Sequence, residues 1–338
     1  MRMYQKKLAT YLIILLSPIL FALVTLLSIR YGATDTSVKD IFTAIFHYDQ
    51  ENMQQTIVRT SRIPRAVGAL LIGILLAVSG ALMQGITRNY LASPSIMGVT
   101  DGSAFFITIS FIFLPNLSSF QLLCLSFLGS LFGVALVMGL AAFVKNGYSP
   151  VKLAIIGTII GTFLSGVSSS LASYFQVSQT MSFWYNARLH QIDLDLLIFV
   201  IPFGIIGIII SIILSKSVTI LSLGKELATG LGQETRWIQL LSMAAVGLMT
   251  GISVALVGKI GFIGLIIPHI TRFLVGSDYR AVIPCAGILG GVFLVLCDVI
   301  SRFVNYPFET PIGIITSIIG VPFFLYLIKR KGGGSQRV

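Results

Sequence analysis

Ten apolar runs, each bounded by charges, by Gly or Pro, or by polar clusters, divide this chain: 8–29, 66–84, 96–115, 121–144, 153–175, 196–215, 238–257, 260–275, 281–303 and 312–328. Most are close to the length at which an α-helix crosses the hydrocarbon of a bilayer, roughly 20 residues. The pattern predicts an all-α polytopic membrane protein with ten transmembrane helices, organised as one transmembrane domain over residues 1–338. Run 260–275 is short and carries Pro268, His269 and Arg272. Without it, every later helix would change direction.

Two polar stretches interrupt the pattern. Residues 217–236, SVTILSLGKELATGLGQETR, read as a short helix with Ile220, Leu223, Leu227 and Leu231 on one side, stopped by Gly230 and Gly232. An amphipathic helix of this kind lies against either the headgroup layer or a second protein. The segment 30–65 is the longest non-membrane stretch, and within it Ser37 to Phe46 predicts an interfacial helix with Val38, Ile41, Phe42 and Ile45 on one face. Pro64 marks the entry to the second span.

Composition sharpens this picture. The 338 residues are 55% hydrophobic and 10% charged, with a mean hydropathy of +0.94. A soluble chain of this size needs far more polar surface. The net charge of +11 sits in short connections between apolar runs, where it sets orientation and does not suggest nucleic-acid binding. With the N terminus inside, the cytoplasmic side collects about twice as many of the 23 Lys and Arg as the outside, which puts both termini in the cytoplasm. The tail from Lys329 is then a short, disordered cytoplasmic end. No small-residue cleavage site follows the first run, which stays as a span. Cys124, Cys285 and Cys297 lie inside apolar runs without metal or disulfide spacing, as small core residues.

The chemistry is conspicuous for what it lacks. The GK pairs at Gly224-Lys225 and Gly258-Lys259 have neither the upstream glycine nor the following Ser/Thr of a phosphate-binding loop. Ionisable residues within spans are scarce, with Asp101 and Asp298 as the candidates, which counts against an ion-coupled secondary carrier. His47, His190 and His269 are scattered, so no catalytic, cofactor or metal site is predicted. The chain is therefore a transport component driven from outside itself. GxxxG pairs at Gly129/Gly133, Gly157/Gly161, Gly247/Gly251 and Gly287/Gly291 predict close helix packing. Arg62 and Arg65 stand together on an outer surface that otherwise avoids positive charge, which suits an acidic protein partner. Arg302 joins that side; it either shares this role or pairs locally with Asp298 four residues earlier.

Five blocks carry a resemblance that spans nearly the whole chain: RIPR at 62–65; the run from Gly73 through LLAVSGALMQGITRNYLASPSIMG to Gly98; LSLGKELATGLG at 221–232; GKIGFIGLIIPHITRFLVGSDYR at 258–280; and DVISR with ETPIGIITSIIGVPFF across 298–324. In these the chain resembles the permease subunits of bacterial type II ABC importers for ferric siderophores, haem and vitamin B12. The resemblance implies ten helices per subunit, a pathway shared with a second permease (the same or a related chain), two ATPase subunits, and an extracytoplasmic substrate-binding protein, all at the cytoplasmic membrane. It implies a coupling helix in which Leu223, Gly224, Glu226, Ala228, Leu231 and Gly232 contact or shape the ATPase joint. Arg62, Arg65 and Arg302 would bridge to glutamates of the binding protein. Gly157, Gly161 and Ser165 would line the pathway, with Pro311 and Gly313, alongside Gly320 and Pro322, at the dimer contact. Cargo is expected to be an iron(III)–siderophore complex, with haem or cobalamin as alternatives. The family's RNPLA is RNYLA here, with Tyr90 for proline, and the Gly-Ser after the outer-loop tryptophan is Asn186-Ala187 after Trp184 and Tyr185.

Overall fold

The computed structural model describes residues 2–32, 36–114, 116–145, 147–186, 189–306 and 308–332. Ala187, Arg188 and the tail beyond Gly332 lie outside the described residues. Among the described residues the regular elements are helices: α1 Arg2–Arg30, α2 Val38–Phe46, α3 Met53–Ile57, α4 Ile63–Thr87, α5 Val99–Phe113, α6 Ser119–Phe143, α7 Pro150–Tyr174, α8 Ser178–Tyr185, α9 Leu194–Leu223, α10 Lys225–Gly230, α11 Thr235–Val257, α12 Ile263–Val275, α13 Tyr279–Phe303 and α14 Ile312–Gly332. Seven of these are long and apolar enough to cross a membrane, and α5, α12 and α14 are shorter apolar helices. Together they coincide with the ten runs read from the sequence. The predicted interfacial helix is α2, capped by Ser37, whose side chain accepts the Asp40 N–H.

α4 is the axis of the bundle. Its apolar window is 78% buried, against 17% for α1, whose Leu15, Ile19 and Leu23 point outward. A helix buried on all sides in a membrane must meet its neighbours backbone to backbone, and glycines permit this. A Cβ at Gly73 would sit 2.3 Å from the Gly290 carbonyl of α13, and one at Gly80 would sit 2.1 Å from the Gly264 carbonyl of α12. The predicted GxxxG pairs serve the same end: Gly129 and Gly133 of α6 receive α5, and Gly287 and Gly291 of α13 receive α4. Gly157/Gly161 behaves differently, as described below.

Three boundaries depart from the sequence reading. The second span begins thirteen residues early, at Met53: α3 runs through a π-helical turn, Val58–Arg62, into α4 without a break. Pro64 removes a backbone donor, and the wider turn just before it absorbs the mismatch. The predicted 217–236 helix is two helices. α9 continues to Leu223, Gly224 breaks it at φ 147° and ψ 144°, and α10 has only six residues. Ile220 therefore belongs to α9, off the face it was expected to share. At the C terminus, α14 continues through Lys331, past the expected start of a disordered tail.

α5 and α12 cover only part of their crossings as helix. At 1.5 Å per residue they reach roughly 20 Å of a core of about 30 Å. Both begin inside the bundle: Gly98, before α5, faces Gly133 midway along α6, and Gly264, in the first turn of α12, faces Gly80 of α4 and the Pro94 ring. The non-helical segments before them complete the crossing, and the Pro94–Met97 turn ahead of α5 meets the first turn of α12 in the interior.

Candidate functional site

Three places hold the residues singled out in the sequence. At the end of the bundle where α1 finishes, Arg62, Arg65 and Arg302 come together, but they are buried, at 8%, 8% and 7% exposure. Arg65 donates from Nε and Nη2 to Asp298 Oδ1 (3.0 and 2.8 Å) and from Nη1 to Glu309 Oε1 (2.7 Å). Arg302 pairs with Asp298 across one helical turn and donates to the carbonyls of Ser28 and Tyr31, each at 2.6 Å. Arg62 donates to the Ile29 carbonyl at 2.8 Å. The exposed arginine cluster expected on this surface is therefore corrected. These guanidiniums lash α1, α4, α13 and the 304–311 loop to one another, because an uncompensated charge cannot be left in a packed helix bundle.

Glu309 was not foreseen. Its position, two residues before Pro311, held no periodic signal, and only the fold brings it to Arg65 across 244 residues. Burial pushes its carboxyl upward, but the Arg65 hydrogen bond and the Arg65 and Arg302 charges outweigh this and hold it below the usual glutamate range. It lines a cavity of about 310 Å³ with Arg65, His190, Gln191 and Pro311.

The second place is a groove of about 560 Å³ along α7. Gly157, Gly161 and Ser165 line it, joined by Thr158, Thr162 and Ser169. Hydroxyls at 158, 162, 165 and 169 follow helical spacing and form one stripe, a signal present in the sequence but not read there. The Thr158 hydroxyl donates to the Ala154 carbonyl at 2.8 Å, which satisfies it without a partner across the groove. Asp101, in the first turn of α5, leans over Gly161, where an added Cβ would lie 2.6 Å from its Oδ2. Lys259 lines the same groove, and Tyr185, at the end of α8, is pushed up to about 12 by burial and by the Asp101 charge. Gly313 of α14 packs beside the backbone of Lys259, where an added Cβ would lie 3.5 Å from its carbonyl oxygen. A polar stripe open on a membrane helix is incompatible with lipid and implies water or a protein neighbour.

The third place is the opposite end of the bundle. Around α10, Leu223, Leu227, Leu231 and Trp237 are all exposed, at 69%, 49%, 63% and 61%. Glu226 is exposed among them, whereas Ala228 is fully buried and anchors the short helix to the bundle. Ala228 is thus a shape residue, unable to touch a partner. Gly224 and Gly232 (φ 78°) fix the two ends of α10. Tyr90, the departure from the family pattern, stacks its ring on the Arg272 guanidinium at 4.4 Å.

A broken ten-run bundle with this groove invites comparison with known transporters. The family model of the FecCD transport family matches residues 20–330. The chain belongs to the FecCD transport family. It is 59% identical to the iron-uptake system permease protein FeuB of Bacillus subtilis, over 98% of this chain and 99% of that one. The iron(3+)-hydroxamate import system permease protein FhuB of the same organism is 48% identical, over 93% and 82%. The cobalamin import system permease protein BtuC of Halobacterium salinarum is 34% identical, over 86% and 78%. Among solved structures, an inward-facing putative metal-chelate type ABC transporter superposes with a TM-score of 0.79 at 31% identity, covering 93% of this chain and 97% of that one. This FecCD chain is a membrane-embedded transport permease of the ABC importer type, with the helical architecture of that neighbour.

Proposed function

We propose that this FecCD chain imports an iron(III)–siderophore complex across a bacterial cytoplasmic membrane, as one of two permeases that share a pathway. The observation that carries the reading is the α7 groove: an uncovered stripe of glycine and hydroxyl groups, with few charges, suits a large pre-chelated cargo that must pass without being held. The relatives named for iron uptake and iron(3+)-hydroxamate import are 59% and 48% identical to this chain, against 34% for the cobalamin permease, which favours iron over cobalamin as cargo. Haem and cobalamin remain the alternative cargoes. A second permease, the same or a related chain, covers the groove and the outward apolar face of α14, where Ile314, Ile318 and Leu325 are exposed.

Energy comes from a pair of separate ATPase subunits that grip α10. Four large apolar side chains beside Glu226 form a patch better suited to a protein groove than to lipid headgroups. Basic-residue bias supports placing this end, and both termini, in the cytoplasm. The chain acts as one transmembrane domain and holds no catalytic group of its own. At the outer end a binding protein delivers cargo. Arg62, Arg65 and Arg302 serve docking by holding the outer loops and Glu309 in register, with direct contact requiring release of Arg65 and Arg302 from Asp298 and of Arg62 from the Ile29 carbonyl.

Reconstitution tests this. Proteoliposomes containing this chain, its candidate second permease, ATPase and binding protein should take up ferric siderophore only with ATP. Glu226→Arg should abolish ATP-dependent uptake, and Thr158→Leu with Thr162→Leu should block uptake while ATP hydrolysis persists. Uptake driven by an ion gradient without ATPase would overturn the reading in favour of a secondary carrier.

A further inference from the structure

A second polar chain runs from the α10 end into the interior, and none of its members belongs to the groove or the gripping surface. It begins at Thr219, on the last turns of α9 before the Gly224 break. The Thr219 hydroxyl accepts the Tyr279 N–H at 2.9 Å and lies 3.2 Å from Asp278 Oδ1, which bolts the root of α10 to the α12–α13 turn. Tyr279 is 2% exposed; its ring fills the space beside Gly85 of α4, and its hydroxyl faces the Arg272 guanidinium. Arg272 donates from Nη2 to Gln84 Oε1 at 2.5 Å. Gln84, fully buried on α4, donates in turn from Nε2 to the carbonyls of Gly264 (3.2 Å) and Leu265 (3.3 Å).

That last contact has a specific cause. In a regular helix the Gly264 carbonyl would accept the N–H of residue 268, but residue 268 is proline and has none. A buried carbonyl must be satisfied, and Gln84 supplies the missing donor from another helix. The first turn of α12 is thus held by a side chain of α4, whose orientation Arg272 sets. This turn abuts the Pro94–Met97 turn, whose Ser95 lines the groove, and it follows Phe262, which stands at φ 69° against Gly320 of α14.

Arg272 enters no ion pair among the described residues; its partners are an amide and two tyrosines, and its Nη1 lacks a hydrogen-bond partner. Neutral partners hold a cation in place without locking it as a buried carboxylate would. The loop that carries Tyr90 also carries Arg88, whose Nη1 lies 3.8 Å from where a Gly224 Cβ would be. Arg272 is therefore tied to the hinge of α10 by two routes, through Tyr279 and Thr219 and through the loop of Tyr90 and Arg88.

We propose that Arg272 is a positioning residue, which through Gln84 couples displacement of α10 to the first turn of α12 and so to the width of the α7 groove. This rests on α10 being the ATPase grip. It needs two discrete arrangements of the Gln84–Gly264 contact, since a rigid chain carries no signal.

The test is a spin-label distance measurement on the full permease–ATPase complex, with the three native cysteines replaced by serine. One label pair, Ser95→Cys with Ser169→Cys, reads the groove, and Thr229→Cys paired across the two permeases reads α10. In the otherwise unmodified chain, trapping the ATPase with ATP and vanadate should shift both distances. Gln84→Leu and Arg272→Gln should keep the α10 shift and lose the groove shift, while Arg272→Lys should recover part of it. Tyr90→Ala, at a half-exposed position that does not threaten folding, should diminish the groove shift even if the buried variants fail to assemble. A groove shift of full size in Gln84→Leu, or in Tyr90→Ala where Gln84→Leu does not assemble, overturns the proposal. An α10 distance that ignores vanadate trapping in the unmodified chain would instead overturn the grip itself, and this inference with it.

Discussion

Replacing Asp298 by alanine tests the bracing role of the arginines most directly. Asp298 is fully buried and is the shared acceptor for Arg65 and Arg302, so its removal strands two buried cations that repel each other. Losing one partner of a buried ion pair costs about 3–5 kcal/mol, and the double release places Asp298→Ala in the upper half of that range. Glu309 cannot take over: its side chain is 42% exposed and already engaged with Arg65, a contact that solvent limits to about 1 kcal/mol. The combined variant Arg65→Met, Asp298→Leu, Arg302→Met removes all three charges together. It should be more stable than Asp298→Ala, though still short of the native chain by about 1–3 kcal/mol, since the Ser28 and Tyr31 carbonyls lose their donor. Unfolding by SDS titration in mixed micelles reads these differences. A loss below about 1 kcal/mol for Asp298→Ala would refute the bracing argument, because it would mean that both arginines swing to solvent at little cost and are free to meet a docking protein.

Other outcomes follow from the same geometry. Gly80→Val should prevent assembly of the bundle, since its Cβ would lie 2.1 Å from the Gly264 carbonyl; expression and gel-filtration profiles check this. Gly224→Ala, forced into a backbone region that only glycine occupies freely, should lose about 1–3 kcal/mol locally and weaken retention of the ATPase in pull-down. The Glu309 carboxyl is held below its ordinary pKa of about 4.3, so its contribution is complete above that value and disappears as the pH falls through the lowered one. The native chain should therefore lose stability on acidification in that window by more than Glu309→Gln does, as SDS titration at stepped pH would show.

The sequence by itself determined which segments enter the membrane. Burying backbone in hydrocarbon demands long apolar helices, and that demand leaves its trace locally, so all ten runs were legible in length and composition. The glycine pairs at 129/133 and 287/291 were legible as contact points for the same reason. Helix boundaries were less so. Pro64 suggested a start where a π-helical turn allowed continuity, and the Gly224 break, hidden inside an amphipathic pattern, shortened the predicted helix to six residues.

Only the tertiary structure decided what the polar residues do. Arg65 meets Asp298 across 233 residues and Glu309 across 244, and Gln84 reaches the Gly264 carbonyl across 180. Positive charge at the end of a span reads the same in sequence whether it faces a partner or a buried carboxylate. What separates the two is the cost of leaving a charge unpaired inside a packed bundle, and that cost exists only once the helices are brought together.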